Sequence, residues 1–431
     1  MPGRRPGSKL RVTPADGMTT APTTQTDPES KAKPSPPDRP NAASNETGSI
    51  DLSHVPRELG RLVGDDERGP TMICVAGLHG NEPAGLSAFL RVQERLTSEP
   101  DGLAGHLIGL TGNRQALAKN RRFLVHDLNR IWHRDRVAAL RSTPVPVEAE
   151  DQEQRELDYA LQSVLDEARG RVYLLDLHTT SGPGGAFAIL DDTLPNREIA
   201  LDFPVPLVLG LEEELGGTLA AYSTALGITV VGFESGQHED PLAVAQAEAA
   251  IWIAMESCAV LQPRSRVEVE QARRLLAASN GVSSRILEVR FRHHVGQQDG
   301  FEMKPGLSNF RPVQAGEVLA FSSSGPITAP QAGLLLMPLY QDQGEDGFFL
   351  VREVQPVWLS VSKVLRGLGM EKILHLLPGV RRHPELPGSF IVDRRYARWL
   401  ARQLFHLLGF RRVGREGRTL VMSQRQDQVS K

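Results

Sequence analysis

Two apolar runs that each lead into a histidine constrain this chain most. The first, Thr71 to Ala76, leads into Gly77-Leu78-His79-Gly80-Asn81-Glu82; the second, Arg171 to Leu175, leads into Asp176-Leu177-His178-Thr179-Thr180. Short apolar runs bounded by turn residues read as buried strands. Two strand ends could therefore deliver His79, Glu82 and His178 to one point, although His178 follows Glu82 by 96 residues.

The same pattern continues along the chain. Apolar runs at His106 to Thr111, Val172 to Leu177, Ala186 to Leu190, Pro206 to Leu211 and Ile228 to Phe233 alternate with helical patterns at Pro83 to Leu96, Gln152 to Ala168 and Ala243 to Val260. Such alternation predicts an α/β fold, a sheet whose strands are joined by crossover helices. In open sheets of this kind ligands gather outside the carboxyl ends of the strands. The reading places a main domain over residues 51–265 and a smaller β-rich one over 282–360, where short alternating runs are broken by Gly and Pro. An Arg-rich α+β extension follows over 361–431. Residues 1–50 carry few large apolar side chains and are expected to be disordered.

His79, Glu82 and His178 are the set a catalytic zinc site requires: three N/O ligands with a fourth position left for water. About one Zn2+ per chain is the corresponding expectation. Each histidine alone reads more readily as an ordinary polar residue at a strand end. A second strand ending in the same type of site weakens that alternative.

His79-Gly80-Asn81-Glu82, Asp127-Leu128-Asn129-Arg130, Asp176-Leu177-His178-Thr179-Thr180 and Phe233-Glu234-Ser235-Gly236 stand in this order across about 160 residues. Together they resemble the succinylglutamate desuccinylase/aspartoacylase family of zinc carboxypeptidase-like enzymes, over about Thr71 to Leu359. The resemblance implies a zinc-carboxypeptidase-like mixed sheet flanked by helices, with the β-rich domain beside the active site. It assigns His79, Glu82 and His178 to the metal. Glu234 matches the carboxylate that activates water and later protonates the leaving amine, and Arg122 the cation that stabilises the oxyanion. Asn129 and Arg130 match the pair that grips a substrate carboxylate.

These roles suit amide hydrolysis, which needs an activated water, a proton shuttle and positive charge at the developing oxyanion. Read without the resemblance, Arg121-Arg122 is also a solvated basic pair, and Asn129-Arg130 a turn or helix start. Asp176 either orients His178 or caps a loop. His238 reads as a surface-loop histidine in preference to a pocket residue, and Glu212-Glu213-Glu214 as a solvated acidic run. The sequence departs from the family after the catalytic glutamate, where Glu234-Ser235-Gly236-Gln237 lacks the usual proline, and at His126, where many relatives carry another polar residue.

The expected function is zinc-dependent removal of an acyl group from a small N-acyl amino acid or related metabolite carrying a carboxylate. Two alternatives stand beside it: a carboxypeptidase acting on a peptide or cell-wall fragment, and a partner-binding protein with a retained zinc site. With 49 Lys and Arg against 52 Asp and Glu, the net charge of −3 does not point to nucleic acid or a membrane surface. Only Cys74 and Cys258 are present. Together with the lack of a signal-peptide or membrane-spanning pattern, this leads to the expectation of a cytoplasmic protein. Residues 381–431 hold 12 Lys/Arg and 4 Asp/Glu, a local charge of +8 that leaves −11 for the rest. An anionic partner is one reading of this asymmetry; a solvated face, or one paired with the acidic main domain, is the other. A homo-oligomer is left open.

Overall fold

The computed structural model describes residues 11–13, 51–98, 102–262, 266–280, 285–296, 298–393, 400–416 and 419–425. Of the amino-terminal tail expected to be disordered, β1 (Arg11–Thr13) is a short strand and the rest lies outside the described residues.

In chain order the first part comprises β2 (Glu58–Val63), β3 (Thr71–Ala76), α1 (Ala84–Ser98), β4 (His106–Thr111), α2 (Arg114–Leu117), α3 (Arg134–Ser142), α4 (Ala149–Glu167) and β5 (Val172–Thr180). Then come β6 (Phe187–Leu190), α5 (Leu194–Ala200), β7 (Leu207–Leu209), α6 (Leu219–Ala225), β8 (Thr229–Gln237), α7 (Ala243–Ser257) and α8 (Arg266–Asn280). At the centre β4, β3, β5 and β8 run parallel. All six residues of β3 are buried, as a strand covered on both faces requires.

Alternation along β3 divides the core. Met72, Cys74 and Ala76 pack with Leu86, Phe89 and Val92 of α1 and with the almost wholly apolar α7. Ile73 and Val75 face the other way, against Leu157, Leu161 and Val164 of α4. Leu86, Phe89, Val92 and Leu96 recur at helical spacing, so one stripe of α1 is removed from water. Truncating a fully buried member such as Phe89 would cost about 3–5 kcal/mol. This packing fixes where the central strands end, and so where the histidines stand.

The strands of the β-rich segment divide between two sheets. They are β9 (Ile286–His294), β10 (Glu302–Met303), β11 (Pro312–Val313), β12 (Val318–Ser322), β13 (Gly325–Thr328), β14 (Gly333–Leu336) and β15 (Asp346–Val354). β9 pairs parallel with β7, so that β9, β15, β14 and β11 continue the main sheet to twelve strands among the described residues. β10, β12 and β13 form a separate three-stranded sheet.

The carboxyl-terminal part contains α9 (Val357–Gly367), β16 (Val380–Arg382), β17 (Ser389–Asp393), α10 (Leu400–Leu407), β18 (Phe410–Glu416) and β19 (Thr419–Gln424). Its four strands form their own antiparallel sheet around Phe390, Phe405 and Phe410. The expected helix at about Asp393 to Leu408 is seen over its second half, residues 394–399 lying outside the described residues.

Glu212-Glu213-Glu214 is not a solvated run. Arg425 reaches Asp191 at 3.0 Å, Glu212 at 2.6 Å and Glu213 at 3.0 Å, while Arg412 reaches Glu214 at 2.8 Å. The extension thus pairs with the acidic main domain through these arginines. Arg394, Arg395, Arg398 and Arg418 lie outside the described residues.

Candidate active site

The carboxyl ends of β3, β5 and β8 lie side by side and carry the site. After β3 the chain turns at Gly77, whose φ of +69° favours glycine. Gly80 is packed so closely that a Cβ would stand 2.1 Å from the Ala116 carbonyl carbon. The turn places His79 and Glu82, both buried, just before α1. His178 ends the apolar part of β5, and β8 puts Glu234 in register directly beside it.

His79, Glu82 and His178 converge as expected. One potential ligand atom from each lies within 4.8 Å of the others. Glu82 Oε1 is 2.9 Å from His79 Nδ1, and Glu82 Oε2 is 2.9 Å from His178 Nδ1. The Thr179 amide also donates to Glu82 Oε2, at 3.0 Å. Behind the histidines stand two further carboxylates. Asp127 Oδ1 lies 3.1 Å from His79 Nε2, and Asp176 Oδ1 lies 3.1 Å from His178 Nε2. Asp176 thus stands beside the His178 ring, where its orienting reading would place it.

The buried charges at this point depend on one another. Burial alone would raise the Glu82 carboxyl, but His79 and His178 outweigh it and hold Glu82 well below the ordinary value. Burial would likewise lower His178, yet Asp176 and Glu82 keep it well above its ordinary value. Glu82, Asp176 and Glu234 line the cavity together with the permanent cations Arg122 and Arg130, and Asp127 pairs with Arg122 at 2.9 Å. Buried N/O donors, with Asp127 hydrogen-bonded to His79 and Asp176 lying 3.1 Å from His178, fit Zn2+.

Glu234 is buried, and its Oε2 has no hydrogen-bond partner among the described residues. Burial pushes its carboxyl up to about 8, with His178 pulling it down and Glu82 pushing it further up. A carboxyl poised near neutrality suits proton transfer. Arg122 is no solvated pair member. Its Nε and Nη2 donate to Asp127 Oδ2 at 3.1 and 2.9 Å, leaving Nη1 pointed toward Glu82 at 3.6 Å. Burial would lower the guanidinium pKa, but Asp127 and Glu82 raise it.

Asn129 and Arg130 follow Asp127 in a short 3-10 turn that Asp127 caps by accepting the Asn129 amide at 2.9 Å. Both line the cavity. Asn129 Oδ1 accepts the Leu219 amide at 2.9 Å, and Arg130 is ion-paired with Asp346 at 2.6 Å.

The cavity measures about 130 Å³, and Gln341, Gly344 and Asp346 of the β-rich segment line it together with the site residues. His238 lines it too, contrary to its reading as a surface-loop residue. Its Nδ1 is 2.6 Å from Thr179 Oγ1 and its Nε2 is 3.1 Å from Gln341 Oε1, which also accepts from Asn81 at 2.8 Å. Nearness to Glu234 in sequence was the signal for His238. Gln341 and Asp346 carried none, because the site residues they meet, Asn81 for Gln341 and Arg130 for Asp346, are more than two hundred residues away.

Residues 68–251 match the family described as the succinylglutamate desuccinylase/aspartoacylase catalytic domain. The succinylglutamate desuccinylase of Photorhabdus laumondii subsp. laumondii is 31% identical over 72 residues, 17% of this chain and 22% of that protein. That of Pseudomonas paraeruginosa is 31% identical over 71 residues, 16% of this chain and 21% of its own. The matched stretch thus spans about a fifth of the length of these curated relatives. Among solved structures, a succinylglutamate desuccinylase/aspartoacylase from Rhodobacter sphaeroides aligns with a TM-score of 0.51 at 17% identity, covering 69% of this chain and 89% of that one. A product-bound ectoine utilization protein from Ruegeria pomeroyi aligns with a TM-score of 0.50 at 18% identity and the same coverage. At these identities the structural likeness is one of fold.

Proposed function

Residues 68–251 belong to the succinylglutamate desuccinylase/aspartoacylase family, and from that premise we propose that the protein is a zinc-dependent amide hydrolase that removes an acyl group from the nitrogen of a small metabolite. The observation that carries this reading is the convergence of His79, Glu82 and His178 beside a buried carboxyl, Glu234, whose Oε2 has no partner among the described residues. His79, Glu82 and His178 would hold the metal. When bound, zinc supplies Lewis acidity to water and to an acyl carbonyl.

The chain's own residues supply the rest. Glu234 takes a proton from the attacking water and returns it to the leaving nitrogen, a task suited to a carboxyl held near neutrality. Arg122 Nη1 supplies positive charge where the carbonyl oxygen becomes negative. Asp127 holds the Arg122 guanidinium in place and, with Asp176, fixes the rings of His79 and His178. Asn129 and Arg130 orient the far end of the substrate.

The cavity size, and the Asn81, His238 and Gln341 contacts at its wall, support a small metabolite over a polypeptide. Among the described residues no helix is long and apolar enough to cross a membrane. The two buried, unpaired cysteines support the cytoplasmic location that we include in the proposal.

A panel of N-acyl amino acids and their amides, assayed for amine release by the zinc-loaded protein, tests the reading. Glu234→Gln should keep its metal and lose about 10²- to 10⁴-fold in turnover; wild-type rates in that variant would sink the mechanism.

A further inference from the structure

Arg130 already holds a carboxylate. Its Nη2 donates to Asp346 Oδ2 at 2.6 Å and its Nη1 to the Asn129 carbonyl at 2.8 Å, so both terminal nitrogens of the fork are engaged. Asp346, the first residue of β15, is also held from behind. Arg292 Nε donates to Asp346 Oδ1 at 2.5 Å, and Arg292 Nη1 is itself anchored on the Glu214 carbonyl at 2.6 Å. Arg130 and Asp346 line the cavity, whereas Arg292 does not. Asp346 therefore cannot turn away from Arg130 and keep its second arginine unless the strand end moves. Asn129, the other half of the expected clamp, is held by its Oδ1 accepting the Leu219 amide at 2.9 Å, and its donor Nδ2 lies 3.4 Å from His178 Nε2.

We propose that Asp346 sets substrate choice at this end of the cavity, making the Arg130 subsite a receptor for an uncharged hydrogen-bonding group, a carboxamide or hydroxyl, in place of a free carboxylate. The proposal rests on the deacylase reading and names the substrate class for it. An arriving carboxylate would have to displace Asp346 from Arg130 or lie against it, and like charges in contact disfavour each other in a partly buried site. The ion pair offers a donor and an acceptor side by side, which is the complement of a carboxamide's C=O and N–H. Sites built to hydrogen-bond one group reject an analogue that leaves their polar atoms unmatched.

The test compares each N-acyl amino acid with its carboxamide on the intact zinc-loaded protein, by calorimetric affinity and by amine release. The wild type should bind and hydrolyse the carboxamide at least about tenfold better than the acid. Asp346→Asn, which keeps the side-chain shape, should improve acid binding about 10- to 100-fold and reverse the order. Arg130→Gln added to Asp346→Asn should erase that gain. An acid preferred by the wild type, or an acid-to-amide ratio that Asp346→Asn leaves unchanged, would overturn the proposal while hydrolysis itself upheld the deacylase reading. Absence of both binding and hydrolysis for every pair would overturn the two together. The wild-type ratio decides the matter even if Asp346→Asn does not fold.

Discussion

Replacing Arg425 with methionine should loosen the carboxyl-terminal sheet from the wall of the active site. The Arg425 side chain is 2% exposed and pairs with Asp191, Glu212 and Glu213, and it also donates to the Phe410 carbonyl at 2.7 Å. Removing one partner from a buried ion pair costs about 3–5 kcal/mol, because the charge left behind is unpaired. Here Glu212 would lose its arginine, while Asp191 keeps Arg411 at 3.7 Å and Glu213 keeps His406 at 3.1 Å, so a penalty within that range is expected near pH 8. The pH dependence follows from Glu212, whose carboxyl burial pushes up to about 7 while Arg425 pulls it down. An acid raised in the folded state contributes best when protonated in both states, below its ordinary value of about 4.5, and its contribution falls as pH rises through about 7. Without Arg425 the carboxyl rises further, so the penalty of Arg425→Met should shrink between pH 8 and pH 5. Urea unfolding at both pH values, with hydrogen exchange of β17 and β19 amides reporting the local unit, measures it. A penalty below about 1 kcal/mol at pH 8, the size typical of a surface pair, would refute the reasoning. So would a penalty that does not decrease at pH 5.

Two further substitutions probe the site. Arg122→Gln should lower kcat about 10²- to 10³-fold with metal content unchanged; a change confined to KM would assign Arg122 to substrate binding instead. Asp176→Asn removes the charge 3.1 Å from His178 and should weaken zinc affinity about 10- to 100-fold in a chelator competition. Unaltered affinity would leave Asp176 a merely structural residue.

Much of the central sheet was legible because its strands are short, apolar and buried on both faces, so that Thr71 to Ala76 and Ile228 to Phe233 stand out without knowledge of their neighbours. The metal set was legible for a related reason: His79, Glu82 and His178 sit at the ends of such strands. The pairing of β9 with β7 was not, since a strand's hydrophobic pattern does not name the strand beside it. Asp346 is 216 residues from Arg130, and Arg425 is 213 from Glu212, so neither partner is visible in any local window. The acidic run Glu212-Glu213-Glu214 reads as a solvated face until its arginines are in place. His238 is polar, lies in a turn, and acquires its role through Thr179, Gln341 and Asn81, 59, 103 and 157 residues away.

Metal content of the purified protein, read by mass spectrometry alongside His178→Ala and amine release from N-acyl substrates, bears most directly on the central claim. About one zinc per chain, lost in His178→Ala together with deacylation, is the predicted result. A protein that binds no metal when zinc is supplied, or that releases amine equally well without it, would contradict the account.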